Sequence, residues 1–333
     1  MRALVTGATG FIGGKLALRL AGMGWQVTAA GRNAQQGRKI ALAAEGITYI
    51  RADLQDEASI MKACEGQDYV FHCGALSSPW GKYDDFYQSN VIGTRNVAGG
   101  CLEHKVKRLI HVSTPSIYFD YTDRLNIKED DPLPARSVNF YAATKLLAET
   151  EVDRAYERGL ETITIRPRGV FGPGDQAILP RLLKANERGK VPLINGGQAK
   201  IDITYVENVV DSLLLCAEAG PDALGRKYNI TNGEPVMLAE LLENLFYVLR
   251  QPLRAKPLPF RAVYWLAGGL EWGAKLFAGG KEPLITRYTV GVLGTNQTLD
   301  ITRARVELGY EPKVTISDGI LKFADWWRKG TDD

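Results

Sequence analysis

Ala3-Leu4-Val5-Thr6-Gly7-Ala8-Thr9-Gly10-Phe11-Ile12-Gly13 decides the fold of this chain. Residues 3–6 are an apolar, β-branched run that reads as a strand, and residues 12–23 carry the apolar spacing of an amphipathic helix. Between them Gly7, Gly10 and Gly13 follow a GxxGxxG spacing. Glycine lets the backbone turn tightly and approach a pyrophosphate, which then rests on the positive end of the following helix. A glycine triplet alone is weak evidence. Framed by a strand and a helix in the first βα unit, it points to a dinucleotide cradle built from Gly7, Thr9, Gly10, Phe11, Ile12 and Gly13.

The same alternation continues outward. Strands are expected at 27–30, 48–51, 69–73, 108–113, 162–166 and 227–229, with helices at 57–64, 84–101 and 140–156. This is the pattern of an α/β chain with a Rossmann-type, doubly wound parallel sheet. Residues 1–170 are assigned to the nucleotide-binding domain, with strand and helix contributions from about 200–232. Residues 171–333, with helical runs at 177–188, 206–217 and 238–249, are assigned to a smaller C-terminal α/β substrate lobe and lid over the C-terminal edge of the sheet.

Composition narrows the function. The 333 residues carry a net charge of +3, with acids and bases mixed along the chain, so no nucleic-acid-binding stripe is expected. Cys64, Cys73, Cys101 and Cys216 are scattered through apolar runs, with no metal-ligand spacing. That usage fits a reducing cytoplasm, and the first strand begins too early for a signal peptide. No apolar stretch is long enough to span a membrane. Residues 260–277, rich in Trp, Tyr and Leu, read as a core helix, a lid over an apolar pocket, or a surface helix in peripheral membrane contact.

The end of the second strand speaks to the cofactor. An NAD site wants an acid there for the ribose hydroxyls, but this chain has Ala30-Gly31-Arg32-Asn33. Gly31 leaves room and Arg32 offers a planar cation for a 2′-phosphate, so NADP(H) is expected, with NAD(H) the alternative. After the third strand, Asp53-Leu54 is placed at the adenine, with a helix N-cap the competing role for Asp53 or Asp56. Gly74 and Ala75, after the fourth strand, complete that side of the cofactor site.

Tyr141 and Lys145 are four residues apart, on one face of a helix. Among the fourteen tyrosines, Tyr141 alone has a lysine at i+4. A phenol beside a cation can give or take the proton that accompanies hydride transfer. The fifth strand ends in Ser113-Thr114-Pro115-Ser116. The three histidines, two of them in strands, read as structural.

TGATGFIG, a strand ending in Ser-Thr, YxxxK, and Arg166-Pro167-Arg168-Gly169-Val170-Phe171-Gly172-Pro173-Gly174 together resemble the extended short-chain dehydrogenase/reductases, over nearly the whole chain. The resemblance implies Thr114 as the hydroxyl on the reacting oxygen, Ser113 and Ser116 being alternatives. It implies Tyr141 as general acid/base and Lys145 as the residue that holds the nicotinamide ribose and lowers the tyrosine pKa. It also implies Pro167 and Val170 at the nicotinamide, and a homodimer formed through residues 84–101 and the Tyr/Lys helix. Asn90 matches a recurrent family position, with a structural role in its helix the alternative.

Within that family, sugar-nucleotide dehydratases place an acidic pair after the threonine, where this chain has Pro115 and Ser116. Ser113–Asp120, Trp80-Gly81 with Tyr83, and residues 172–175 and 178–181 are instead similar to the 3β-hydroxysteroid dehydrogenase branch, which includes 2-alkyl-3-ketoalkanoate reductases. The resemblance implies a ketone reductase, or the reverse alcohol dehydrogenase, for a bulky hydrophobic β-keto acid or steroid-like substrate. Trp80, Tyr83, Phe86, Tyr264, Trp265 and Trp272 are expected to line its pocket, with Ser116, Arg168 and Arg181 as polar contacts. The competing readings are a sugar-nucleotide epimerase with tightly held NAD and a non-catalytic NADP(H)-sensing protein.

Overall fold

The computed structural model describes residues 1–189, 191–277 and 281–331. Its short apolar runs pair into one sheet because each is followed by an amphipathic helix that crosses back over it. The strands are β1 (Arg2–Thr6), β2 (Gln26–Gly31), β3 (Ile47–Arg51), β4 (Tyr69–His72), β5 (Arg108–Val112), β6 (Glu161–Pro167) and β7 (Lys227–Ile230), in the order β7-β6-β5-β4-β1-β2-β3. All neighbours are parallel. The strand order reverses between β1 and β4, which opens a crevice at their C-terminal ends.

Alternate residues of each strand feed opposite cores. Val5, Phe71 and Ile110 join Leu16 and Leu20 of α1 (Phe11–Gly22) and Val209 and Leu213 of helix Val206–Glu218. Leu4, Val70 and Leu109 pack on the other face with Ile60 of α3 (Glu57–Cys64), Val97 of α4 (Gly93–Glu103) and Val152 of α5 (Phe140–Glu157).

In the N-terminal half one helix was not expected, and in the C-terminal part Arg287–Gly294, Thr302–Leu308 and Ile316–Thr331 were not. Residues Ala34–Ala43 form α2, capped by Asn33, whose side chain accepts from the amides of Gln35 and Gln36 at 3.1 Å. Its apolar periodicity is weak, and Gly37 hides its packing role: a Cβ there would meet the Tyr49 ring at 2.1 Å. The expected helix at 84–101 is instead a composite. Tyr83–Phe86 leads into a π-helical stretch, Tyr87–Ile92, and then α4.

The second lobe carries a four-stranded sheet in the order Val236–Met237, Lys200–Ile201, Gln297–Leu299, Arg124–Ile127. The last of these comes from the N-terminal half and runs parallel to Gln297–Leu299. A separate apolar core, including Phe171, Leu183, Leu242, Phe246 and Phe323, fills this lobe.

Candidate active site

Gly7 closes β1 with φ +67, and a Cβ there would lie 2.6 Å from Cα of Gly74, at the end of β4. A Cβ on Gly13 would meet the Gly7 carbonyl oxygen at 2.5 Å. The Gly10 amide donates to that same oxygen at 2.9 Å. No acid occupies the first turn of α1, so the positive helix end faces the crevice unneutralised. A dinucleotide pyrophosphate fits here, because side chains at these glycines would fill the space the loop needs. Thr9 supplies a second reason for Gly31, where a Cβ would meet Thr9 Oγ1 at 2.6 Å. Arg32 follows, exposed at the end of β2.

At the end of β3 the helix-capping role falls to Asp56, which accepts from the amides of Ala58 and Ser59 at 3.1 and 3.3 Å. Asp53 accepts from the Gln55 amide at 3.1 Å. Leu54 wedges beneath the crevice, within contact of Cβ positions at both Gly74 and Gly93. Ala75 is exposed beside Gly74. Across the crevice Pro167 ends β6, and Val170 opens a short strand that pairs with Thr204–Tyr205.

Thr114 lies two residues past the end of β5 and caps the 3-10 turn Pro115–Tyr118, accepting from the Ser116 amide at 3.2 Å. Its hydroxyl donates to Ser116 Oγ at 3.0 Å, and Ser116 Oγ meets the Tyr288 hydroxyl at 2.8 Å. Thr114 and Tyr288 both act on the Tyr141 phenol, so four hydroxyls share this end of the crevice. Ser113 is buried outside that chain of bonds, its hydroxyl unpartnered among the described residues. Burial pushes the Tyr141 phenol up to about 12, the Thr114 hydroxyl opposing the rise and nearby Tyr288 adding to it. Tyr141 is therefore a protonated donor at neutral pH.

Lys145 lies one turn further along α5, but its ammonium bonds the sheet. Nζ donates to the Val112 carbonyl at 2.8 Å and meets His111 Nε2 at 3.1 Å. The long, flexible stem allows this, whereas spacing alone suggested an ammonium at the phenol. Burial lowers the Lys145 pKa to about 8.

His111 belongs to a polar row across the sheet, Thr6–His72–His111–Thr164, set by strand register. His72 bonds Thr6 Oγ1 at 2.7 Å and Thr94 Oγ1 at 2.9 Å, and burial lowers its pKa to about 3. Asn90, in the π-helical stretch, accepts from the Leu76 amide at 2.7 Å and donates to Thr144 Oγ1 at 3.1 Å. It thereby ties the loop after β4 to α5. Beneath α5, Glu149 holds Arg166 of β6 through two bonds of 2.9 and 2.5 Å.

Arg168 is buried at the edge of the hydroxyl cluster. It donates to Gln297 Oε1, while its own Nε, Gln297 Nε2 and Asp202 Oδ1 are buried without partners among the described residues. Asp202 and Tyr288 both act on its charge. Other expected contacts lie elsewhere. Arg181 is exposed, 3.8 Å from Glu282 in an ion pair, and exposed Tyr83 packs on Tyr87 and Phe140. Trp80 is half-buried in a loop closed by Ser78, and Phe86 is core. Trp265 and Trp272, expected in the pocket, face solvent instead, because the opposite face of their helix is the one that packs on the body. Tyr264 does point inward, between Phe260 and Tyr121.

A doubly wound sheet with a glycine turn at its switch point and a Thr–Tyr–Lys set at the next strand end defines a nucleotide-cofactor oxidoreductase. Residues 3–231 match the NAD dependent epimerase/dehydratase family, and the chain belongs to it, as an enzyme of the extended short-chain dehydrogenase/reductase type. It is 36% identical to a 2-alkyl-3-oxoalkanoate reductase of Stenotrophomonas maltophilia, covering 97% of this chain and 98% of that one. It is 32% identical to the decarboxylating sterol-4-alpha-carboxylate 3-dehydrogenase of Homo sapiens, covering 98% and 88%. The solved structure of an epimerase from Methanothermobacter thermautotrophicus superposes with a TM-score of 0.82 at 21% identity, covering 99% of this chain and 93% of that one.

Proposed function

We propose that the chain is an NADP(H)-dependent ketoreductase, or the reverse alcohol dehydrogenase, for a bulky apolar substrate such as a β-keto acid or steroid-like molecule. The observation that carries this reading is the partly buried cluster of Thr114, Ser116, Tyr141 and Tyr288 hydroxyls beside an incompletely satisfied Arg168. The reductase named among the relatives supports the same substrate chemistry. The missing acid after β2, with exposed Arg32 in its place, supports NADP(H) over NAD(H).

When bound, the nicotinamide supplies the hydride. Gly7, Gly10 and Gly13 would hold the pyrophosphate, Arg32 would take the 2′-phosphate, and Asp53, Leu54, Gly74 and Ala75 would bind the nucleoside. Pro167 and Val170 would help hold the nicotinamide. Thr114 and Tyr141 would bind the ketone oxygen, and the Tyr141 phenol would give that oxygen the proton the reduction requires. Lys145 supplies positive charge, and Arg168 binds a carboxylate next to the ketone. Phe119, Tyr121 and Tyr264 form an aromatic wall that excludes water. The four free cysteines support a cytoplasmic location. A groove of about 640 Å³ along α4 and α5, remote from these hydroxyls and lined by Gly99, Leu102 and Arg154 among others, supports a homodimer through that face.

NADPH consumption with a 2-alkyl-3-keto acid tests the reading. Tyr141→Phe should cost about a thousandfold in turnover while NADPH still binds. Arg168→Gln should raise KM for the acid and leave KM for its methyl ester unchanged. Full turnover in Tyr141→Phe overturns the assignment.

A further inference from the structure

Helix Phe260–Phe277 presents its apolar side to solvent. Val263, Ala267, Glu271 and Ala274 face the body, while Trp265, Leu266, Leu270, Trp272 and Leu276 are 41–76% exposed. On a helical wheel these five share one arc with Ala262, Gly269 and Gly273, and that arc holds no charged residue. A soluble surface does not ordinarily leave two tryptophans and three leucines together in water. Among the described residues no helix is long and apolar enough to cross a membrane.

The surrounding charge is one-sided. Residues 250–282 carry six Lys or Arg and two acids. Glu271 is buried and bonded to Arg287 at 2.8 Å, and Glu282 is paired with Arg181 at 3.8 Å, whereas Arg250, Arg254, Lys256, Arg261 and Lys281 are exposed. A second copy of the chain laid on this face would bring like charges together. An anionic phospholipid surface offers both halves of the complement, headgroup charge for the basic rim and acyl chain for the tryptophans and leucines.

The face also connects with the catalytic hydroxyls. Rings run from Trp265 to Tyr264 (6.2 Å), Tyr121 (5.5 Å), Phe119 (5.1 Å) and Tyr288 (5.8 Å), whose hydroxyl meets Ser116 Oγ at 2.8 Å.

We infer that helix Phe260–Phe277 seats this protein on anionic bilayers, so that a membrane-dissolved apolar substrate reaches the hydroxyl cluster along the aromatic row. The delivery half of this inference rests on the ketoreductase reading; the docking half does not. Flotation with vesicles separates the two, since it needs no turnover. Full-length protein should float with equimolar phosphatidylcholine/phosphatidylglycerol vesicles, float poorly with phosphatidylcholine alone, and be released by salt. The Trp265→Ser/Trp272→Ser variant should lose binding by roughly tenfold or more, with unchanged Tm and unchanged NADPH oxidation on a short water-soluble keto acid. Three outcomes overturn the inference: no flotation with either vesicle, equal flotation of the variant, or loss by the variant of a self-association seen in the wild type by sedimentation.

Discussion

Lys145 shows why a motif and its geometry must be read separately. The i, i+4 spacing puts it on the face of Tyr141, but β5 holds the ammonium through Val112 and His111. With its pKa lowered to about 8, Lys145 loses its proton as pH rises through that value. The kcat/KM for reduction, which reports the free enzyme, should therefore fall through about pH 8. Lys145→Arg should remove that limb, because a guanidinium does not titrate there. His111→Phe should move the limb to lower pH, since it removes an acceptor for the charged form. A flat profile across this range would sink the role given to Lys145. Tyr141, Lys145 and Thr114 were legible because each is marked locally, by helical spacing or a strand end. Tyr288 was not, since its partner Ser116 lies 172 positions away. His111 was set aside as structural because nothing in its own strand reveals the lysine 34 residues on.

At the scale of elements, the glycine turn reads from sequence because its constraint is local and severe. Gly13→Ala brings a Cβ within 2.5 Å of the Gly7 carbonyl, and that oxygen cannot move without disturbing the Gly10 amide bonded to it. Strain of about 1–3 kcal/mol is expected, visible as a lower Tm. NADPH binding, followed by cofactor fluorescence, should weaken more than stability does, because the displaced amides are those facing the phosphate. A variant that binds NADPH normally would mean that the cradle tolerates a side chain. Other elements were less legible. The composite helix before α4 hides its π-helical stretch because residues 84–101 keep an apolar periodicity through it, and only the Asn90 bonds show what the extra residue re-aims. The helix at Phe260–Phe277 was recognisable as amphipathic, but its periodicity does not say which side meets the protein. The buried positions decide that.

For the whole molecule, the seven-stranded sheet was readable from consecutive βα units, whereas the small sheet was not. Its four strands come from residues 124–127, 200–201, 236–237 and 297–299, and three of them are only two or three residues long. What joins them is tertiary. Asp202 follows Lys200–Ile201 and accepts from the Leu299 amide of the neighbouring strand at 2.6 Å. Burial pushes the Asp202 carboxyl up to about 6 from an ordinary 3.8, against the Leu299 bond and the pull of Arg168. A raised folded-state pKa means that the folded protein binds the proton more tightly than the unfolded chain does. The associated stability is complete below about pH 3.8 and is lost as pH rises through about 6. Asp202→Asn keeps an acceptor for the Leu299 amide but carries no titrating group. The two proteins should therefore have similar denaturant stability near pH 4. The variant should gain on the wild type by on the order of 2–3 kcal/mol between there and neutrality. Parallel urea-unfolding curves across that interval would show that the junction of the small sheet holds an ionised Asp202 without cost, with Arg168 compensating its charge fully.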